Sequence, residues 1–346
     1  MGFAACRWGT AERCPAPCPG RRPLEITHPD DTARPVEPVG QWSGMCVTLA
    51  DGALEDLSTL DRPRLVRLQW EQERAFARQI LDAPKGSPQR AEATRRAYDT
   101  VTRIFAAVAG FADQPVVMGL RPRYARLLQT LLVRQQRRGI RPAFFEIGYG
   151  SGGLLKRVAQ WGFPAAGIEV SETMYRQACR QLGPSRQADL HRGEFLGYRF
   201  PDPEARHSLI YWNDVFEHIP PDEISACLEK IHRLLVPGGQ LVTITPNWHM
   251  RPSDITGDVC PPRTEAMGLH LKEYTLREVR GLLRRAGFTR VATPLVVVPG
   301  RIVLCGSGLV GLKCLLEPGL ERLPVRLAEL LCRGFGLSET IATRGS

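Results

Sequence analysis

Apolar and polar positions along this chain change rhythm near residue 142. From Arg62 onward Leu65, Leu68, Phe76 and Ile80 fall close to one helical face, with Trp70 and Leu81 off it, and the run ends before Pro84 and Gly86. Ser87 and Pro88 then open a second helix, serine as the cap and proline as the first helical residue, that runs to about Gly110. A third, over 123–138, stacks Tyr124, Leu127, Leu128, Leu131 and Leu132 and stops at Gly139. Beyond Pro142 short apolar strands (143–147, 165–170, 208–212, 240–245, 289–298) alternate with helices (152–161, 171–182, 221–235, 275–286). This alternation predicts an α/β domain with a mostly parallel sheet covered by helices on both faces, with ligands at the carboxyl ends of the strands.

One turn in that pattern carries chemistry. Residues 144–153 read FFEIGYGSGG, in which Gly148, Gly150 and Gly153 fit the G-x-G-x-x-G of dinucleotide sites. Glu146, Gly148, Gly150 and Gly152 equally fit the acid-x-G-x-G-x-G of S-adenosyl-L-methionine sites. The glycines serve either ligand, since they only let the backbone turn tightly and approach closely. Position 146 does discriminate. A dinucleotide would bring a pyrophosphate beside Glu146, which is repulsive, whereas S-adenosyl-L-methionine brings a sulfonium and an ammonium. Glu169, closing the second strand, is placed to accept hydrogen bonds from ribose hydroxyls of either cofactor, or simply to cap the turn before Ser171.

Five stretches in register extend the reading. Glu146–Gly152, GIEVSE (167–172), NDVFEHIP (213–220), LLVPGG (234–239) with its following strand, and His270 through Tyr274 to AGF (286–288) together resemble the class I S-adenosyl-L-methionine-dependent methyltransferases. The likeness is to the broad group that includes ubiquinone-biosynthesis-type O-methyltransferases, and it covers roughly residues 116–298. It implies a Rossmann-like, seven-stranded sheet and a methyl transfer to a small-molecule acceptor, most readily at oxygen. Carried over residue by residue, it implies that Glu146, Gly148, Gly150 and Gly152 line the methionine end and that Glu169 and Val170 border the ribose. Glu194 would face the adenine amino group with Phe195 nearby, and Asn213 and Asp214 would lie beside the methionine moiety. One departure is visible, because His207-Ser208 opens the fourth strand where the family often has Asp.

Methyl transfer asks mainly for alignment and exclusion of water, and for some acceptors a base of near-neutral pKa. His218, His249 and His270 are the candidates, each with a structural alternative. His218 can cap the following helix, and His270 can pack against Tyr274. An NAD-linked oxidoreductase leaves the downstream motifs unexplained. The chain lacks the Asn/Asp-Pro-Pro-aromatic stretch of adenine amine methyltransferases and the Pro-Cys of cytosine C5 enzymes after the fourth strand.

Composition adjusts this picture only at its edges. The net charge of +10 raises an alternative, an RNA methyltransferase using the basic helical surface at 120–143, which carries seven arginines and no acid. Those arginines alternate with a leucine face, so a solvated helix accounts for them too. The ten cysteines form no C-x-x-C pair and no zinc spacing with histidine, so no metal is assigned and a reduced, cytoplasmic setting is expected. No apolar run reaches the ~18 residues of a membrane span, so the protein is expected to be soluble. Residues 1–44, with seven prolines, read as disordered, and Met45 is an alternative start. The expected organisation is a helical region at 45–115, the methyltransferase domain at 116–299, and a C-terminal helical insertion with a final strand near 340–344. Oligomeric state is left open by the sequence.

Overall fold

The computed structural model describes residues 46–110, 122–183, 188–202, 206–298 and 301–345. The expectations for residues 1–44, and the boundary at 115/116, lie outside them. The N-terminal region is not wholly helical: β1 (Cys46–Thr48) and β2 (Leu54–Asp56) form a small antiparallel ribbon before the helices begin. Asp61 then caps α1 (Arg62–Asp82), accepting from the Arg64 amide, and Ser87 caps α2 (Pro88–Ala109) through the Arg90 amide. Phe76, Ile80, Ala93 and Ala97 bind these two helices together over Leu269, a residue of the distant loop that follows the fifth parallel strand.

After α3 (Pro122–Arg137) the alternation runs β3 (Phe144–Ile147), α4 (Gly153–Gln160), β4 (Ala165–Glu169), α5 (Glu172–Leu182) and β5 (Ala188–Arg192). It continues with β6 (His207–Asn213), α6 (Ile224–Leu234), β7 (Leu235–Ile244), the single turn α7 (Thr256–Val259) and α8 (Leu276–Arg285). The chain closes with β8 (Phe288–Val298), β9 (Arg301–Cys305), α9 (Ser307–Leu316), α10 (Val325–Gly334) and β10 (Glu339–Arg344). The sheet order is β5-β4-β3-β6-β7-β10-β8-β9. The first five strands are parallel to one another, and β10 runs antiparallel between β7 and β8. A strand-order reversal therefore falls between β4 and β6, at β3, where an open α/β sheet leaves a crevice for ligands. Its two faces are apolar: Phe144, Leu155, Leu209 and Val242 build one core, and Phe145, Ile210, Trp212 and Leu228 the other. Each of these side chains is essentially out of water, worth about 1.5–3 kcal/mol apiece relative to exposure.

The sheet has eight strands rather than seven. The expected helical insertion begins instead with β9, which pairs antiparallel with β8 on the open edge. The apolar run RIVLC carries no period that separates a short strand from a buried helix, and only the long neighbouring β8 decides it. Beyond β9, Val310, Cys314, Ala328 and Cys332 of α9 and α10 pack with Leu276 into a small core of their own. Buried Glu317 ties this unit to the sheet domain, accepting from the Leu276 and Arg277 amides at the start of α8 and from Asn247 Nδ2. The seven described cysteines are free, and no helix among the described residues is long and apolar enough to cross a membrane.

Candidate active site

Glycine fixes the first turn of the site. Gly148 has φ of +71°, and a Cβ there would sit 2.6 Å from Val215 Cγ2, so no other residue fits this turn. Gly150 and Gly152 also lie at positive φ, and the sequence-marked trio thus bends β3 into α4. Glu146 is 2% exposed, and its Oε2 is buried without a hydrogen-bond partner. Burial, reinforced by the nearby charge of Glu169, raises its pKa well above the ordinary carboxylate range.

Glu169 ends β4 on the neighbouring strand. Its Oε2 accepts from the Gly150 amide at 2.8 Å and its Oε1 from the Ser171 amide at 2.9 Å. Burial raises its pKa while those backbone donors pull it down. It thus serves as the turn's anchor, with two carboxylate oxygens that retain lone pairs, and Val170 follows it half-buried. Glu194, past β5, has a similar local duty: its oxygens accept from the Leu196 and Gly197 amides, both at 2.6 Å. Phe195 is buried in the core with Phe145 and Trp212, under the Lys230 ammonium. At the end of β6, Asn213 Nδ2 donates to Asp214 Oδ2 at 2.8 Å, and Asp214 takes a left-handed φ of 53° that leaves it exposed at the strand end. Glu146, Glu169, Asn213 and Asp214 therefore share the carboxyl edge of the sheet, on adjacent strands.

The histidines separate into two places. His218, one turn beyond Asp214, and His270, in the loop before α8, meet edge to face with ring centroids 4.8 Å apart. His218 does not cap a helix through its ring; Nδ1–H donates to the Leu269 carbonyl at 2.8 Å. His270 packs on His218 and donates Nδ1–H to Glu273 Oε1 at 3.1 Å, with its Nε2 3.9 Å from Glu217 Oε1. Burial depresses the His218 pKa to about 3. Burial acts the same way on His270, yet the Glu273 hydrogen bond and the Glu217 and Asp254 charges outweigh it and bring that pKa to about 9. Burial likewise pushes the Glu217 carboxyl up. His249 stands apart from this pair, with Nδ1 2.9 Å from Glu321 Oε2, and Arg251 completes that ion-pair group at 2.6 Å.

A family profile described as "Methyltransferase domain" matches residues 119–293, half of the chain and the whole run from the glycine turn to β8. The chain belongs to this methyltransferase family. Among curated proteins, an uncharacterized methyltransferase of Geobacillus kaustophilus (strain HTA426) is 32% identical over 119 residues, 34% of this chain and 51% of that protein. A second, from Geobacillus thermodenitrificans (strain NG80-2), is 30% identical over 119 residues with the same coverage. The chain thus spans about half the length of the curated relatives it matches. Among solved structures, magnesium protoporphyrin IX methyltransferase from Synechocystis PCC 6803 aligns with a TM-score of 0.43 and 14% identity, covering 76% of this chain and 100% of that one.

Two residues that sequence reasoning passed over border the candidate site, both on α2. Tyr98 places its ring 5.8 Å from that of His218, and its phenol feels the charges of Glu217 and Glu169. Asp99 Oδ1 accepts from the Glu172 amide at 2.8 Å and from Ser171 Oγ at 3.1 Å, so α2 caps the helix that follows Glu169. The N-terminal helices are clamped in this position by Arg90, whose Nη1 reaches Asp222 at 2.8 Å and Glu223 at 3.0 Å. A polar, interrupted face on an otherwise amphipathic helix is the only sequence signal these residues leave.

Proposed function

We propose that this chain transfers a methyl group from S-adenosyl-L-methionine to an oxygen of a small-molecule acceptor. The observation that carries the cofactor choice is the buried carboxylate of Glu146 with its unpartnered oxygen, set beside Glu169 at a glycine turn. Two acids at a closed turn disfavour a pyrophosphate and favour a ligand that brings positive charge. S-adenosyl-L-methionine fits that donor set: Glu146 takes the methionine end, Glu169 and Val170 the ribose, Glu194 and Phe195 the adenine side, and Asn213 and Asp214 the neighbourhood of the reacting carbon. When bound, it supplies a methyl carbon activated by a positive sulfur.

The chain's own residues align the acceptor and keep water out. Tyr98, His218 and His270 meet beyond the carboxyl end of β6 from three separate segments, an arrangement that suits a small-molecule acceptor. His218 and His270 border the acceptor, while His249 holds the C-terminal unit in place through Glu321. A broad RNA surface is less well supported. Arg123 on α3 is paired with Glu339, and Arg134 donates to the Ile302 carbonyl, so part of the basic stripe is spent inside the fold.

Parallel calorimetric titrations with S-adenosylhomocysteine and NAD test the cofactor. Saturable binding of the first and none of the second is expected; the reverse would overturn the reading. A panel of hydroxylated and aminated acceptors, followed by mass change, then tests oxygen against nitrogen.

A further inference from the structure

The loop after β5 is held by opposite charges acting on its two kinds of backbone group. Glu194 gathers its amides: Oε1 accepts from the Leu196 N–H and Oε2 from the Gly197 N–H, each at 2.6 Å. The loop carbonyls go to a cation instead. The Lys230 ammonium on α6 donates to the oxygens of Phe195, Leu196 and Tyr198 at 2.6, 3.1 and 2.6 Å. An ammonium has three N–H donors, and these three carbonyls match that number. It also stands 4.9 Å from the Phe195 ring centroid and 5.3 Å from that of Phe200. At the other end of the loop the Gly193 amide donates to the Glu169 carbonyl at 2.9 Å, which ties the loop to the end of β4.

Docking this loop on α6 does not by itself call for a charge. Phe195 shares an apolar core with Cys227, Leu228 and Ile231 of that helix, and Leu196, Tyr198 and Phe200 pack against the same core. Burial lowers the Lys230 pKa to about 8, while the charge of Glu194 acts to raise it, so the side chain is an ammonium at neutral pH. What the ammonium adds to the apolar contact is direction. Three carbonyls converging on one point fix the peptide planes of the loop, and with them the side chain of Glu194.

We propose that Lys230 is a positioning residue for cofactor recognition, holding the loop after β5 so that Glu194 and Phe195 present one fixed face to the adenine base. The proposal rests on the reading of this loop as the adenine side. Lys230 acts through the loop and does not itself touch the cofactor. With two amides on its oxygens, the Glu194 carboxylate still has lone pairs for the exocyclic amino group of adenine. Hypoxanthine carries a carbonyl oxygen in place of that amino group, and a carboxylate held still repels it. A loop free to turn loses this discrimination before it loses binding, so the contribution of Lys230 is to selectivity for the base. The sequence hides the residue because it lies 35 positions beyond Phe195, on an amphipathic helix where a lysine reads as one more surface charge.

The test uses the full chain and calorimetric titration with two ligands, S-adenosylhomocysteine and S-inosylhomocysteine, which has hypoxanthine in place of adenine. The parent protein is expected to prefer the adenine ligand roughly tenfold or more. In Lys230→Met that preference should fall at least fivefold, mainly through weaker binding of S-adenosylhomocysteine. Glu194→Gln should lose the preference as well, and adding Lys230→Met to it should lower the preference no further. Where Lys230→Met fails to fold, Lys230→Gln, which keeps two N–H donors but no charge, carries the comparison. Both ligands weakened in equal proportion, or both unchanged, would mean that Lys230 supports the fold alone, and either result overturns the proposal. A further loss of preference in the double variant overturns action through Glu194. A parent protein that binds both ligands equally overturns the adenine-side reading of the loop, and one that binds neither overturns the cofactor reading itself.

Discussion

The two sides of the site are made differently. The proposed cofactor side is local and continuous: β3, its glycine turn and the ends of β4, β5 and β6 supply its groups, on neighbouring strands of one sheet. The proposed acceptor side is assembled from α1, α2, the turn after β6 and the loop before α8, joined by contacts between residues far apart in the chain, such as His218 with Leu269 and Glu73 with Leu269. A strand-end turn defends its geometry through the sheet ladder. An assembled wall depends on whatever clamps its pieces, and specificity is free to vary there without disturbing the cofactor.

The largest expected effect tests the clamp. Arg90→Ala strips the guanidinium from Asp222 and from nearly buried Glu223, and breaking such a pair costs roughly 3–5 kcal/mol. Urea unfolding should show a loss of that size; a change under about 1 kcal/mol means that the helices are held by apolar contact alone.

Next comes a pH effect in the sheet domain. His207 opens β6 with its ring 4.8 Å from that of Phe145, and burial brings its pKa from 6.5 down to about 4. Between those values the unfolded chain binds the extra proton, so stability is lost as pH falls from about 6.5 to about 4, by no more than about 3 kcal/mol. His207→Phe should flatten that part of the stability–pH curve. An unaltered slope between wild type and variant removes His207 as its source.

A smaller effect should mark the seam between the two sides. Asp99→Ala removes the cap that α2 lends to α5, for which a loss of about 1 kcal/mol is expected by denaturation. S-adenosylhomocysteine affinity should fall with it, since Ser171 also steadies Glu169. Loss of stability with fully retained affinity would show that the seam does not reach the cofactor.

The same division governs what could be read from the sequence. Strands β3, β4, β6, β7 and β8, the glycine turn and the acids at 146 and 169 were legible because each is a local pattern: a period, a left-handed glycine, a carboxylate at a strand end; β5, whose residues read ADLHR, has no apolar run to mark it. Asp214 was legible only as a neighbour, since its left-handed backbone has no glycine to announce it. β9 was not legible, because four apolar residues after Arg301 are compatible with helix and strand until a partner strand is known. The convergence of Tyr98, His218 and His270 was legible only in part: each histidine stood out by its type, but their pairing is a product of tertiary packing. Glu217 entered only as part of the 213–220 stretch, and its complete burial, with Oε2 accepting from Thr245, is a product of the fold. His249 stood out equally by type, and its tie to Glu321 depends on where the C-terminal unit folds back.

The central claim is that the glycine turn is built for a cation-bearing cofactor, and Glu146 is where it is most exposed to test. Because Glu146 is only 2% exposed, the isosteric Glu146→Gln is the informative change; a lysine would place an unpaired buried charge there. Calorimetric titration of both proteins with S-adenosyl-L-methionine is the measurement. A charge-assisted interaction worth about 1.5–3 kcal/mol predicts affinity some 10- to 150-fold weaker in the variant, with unfolding unchanged or slightly improved. Equal affinity in the two proteins would contradict the account.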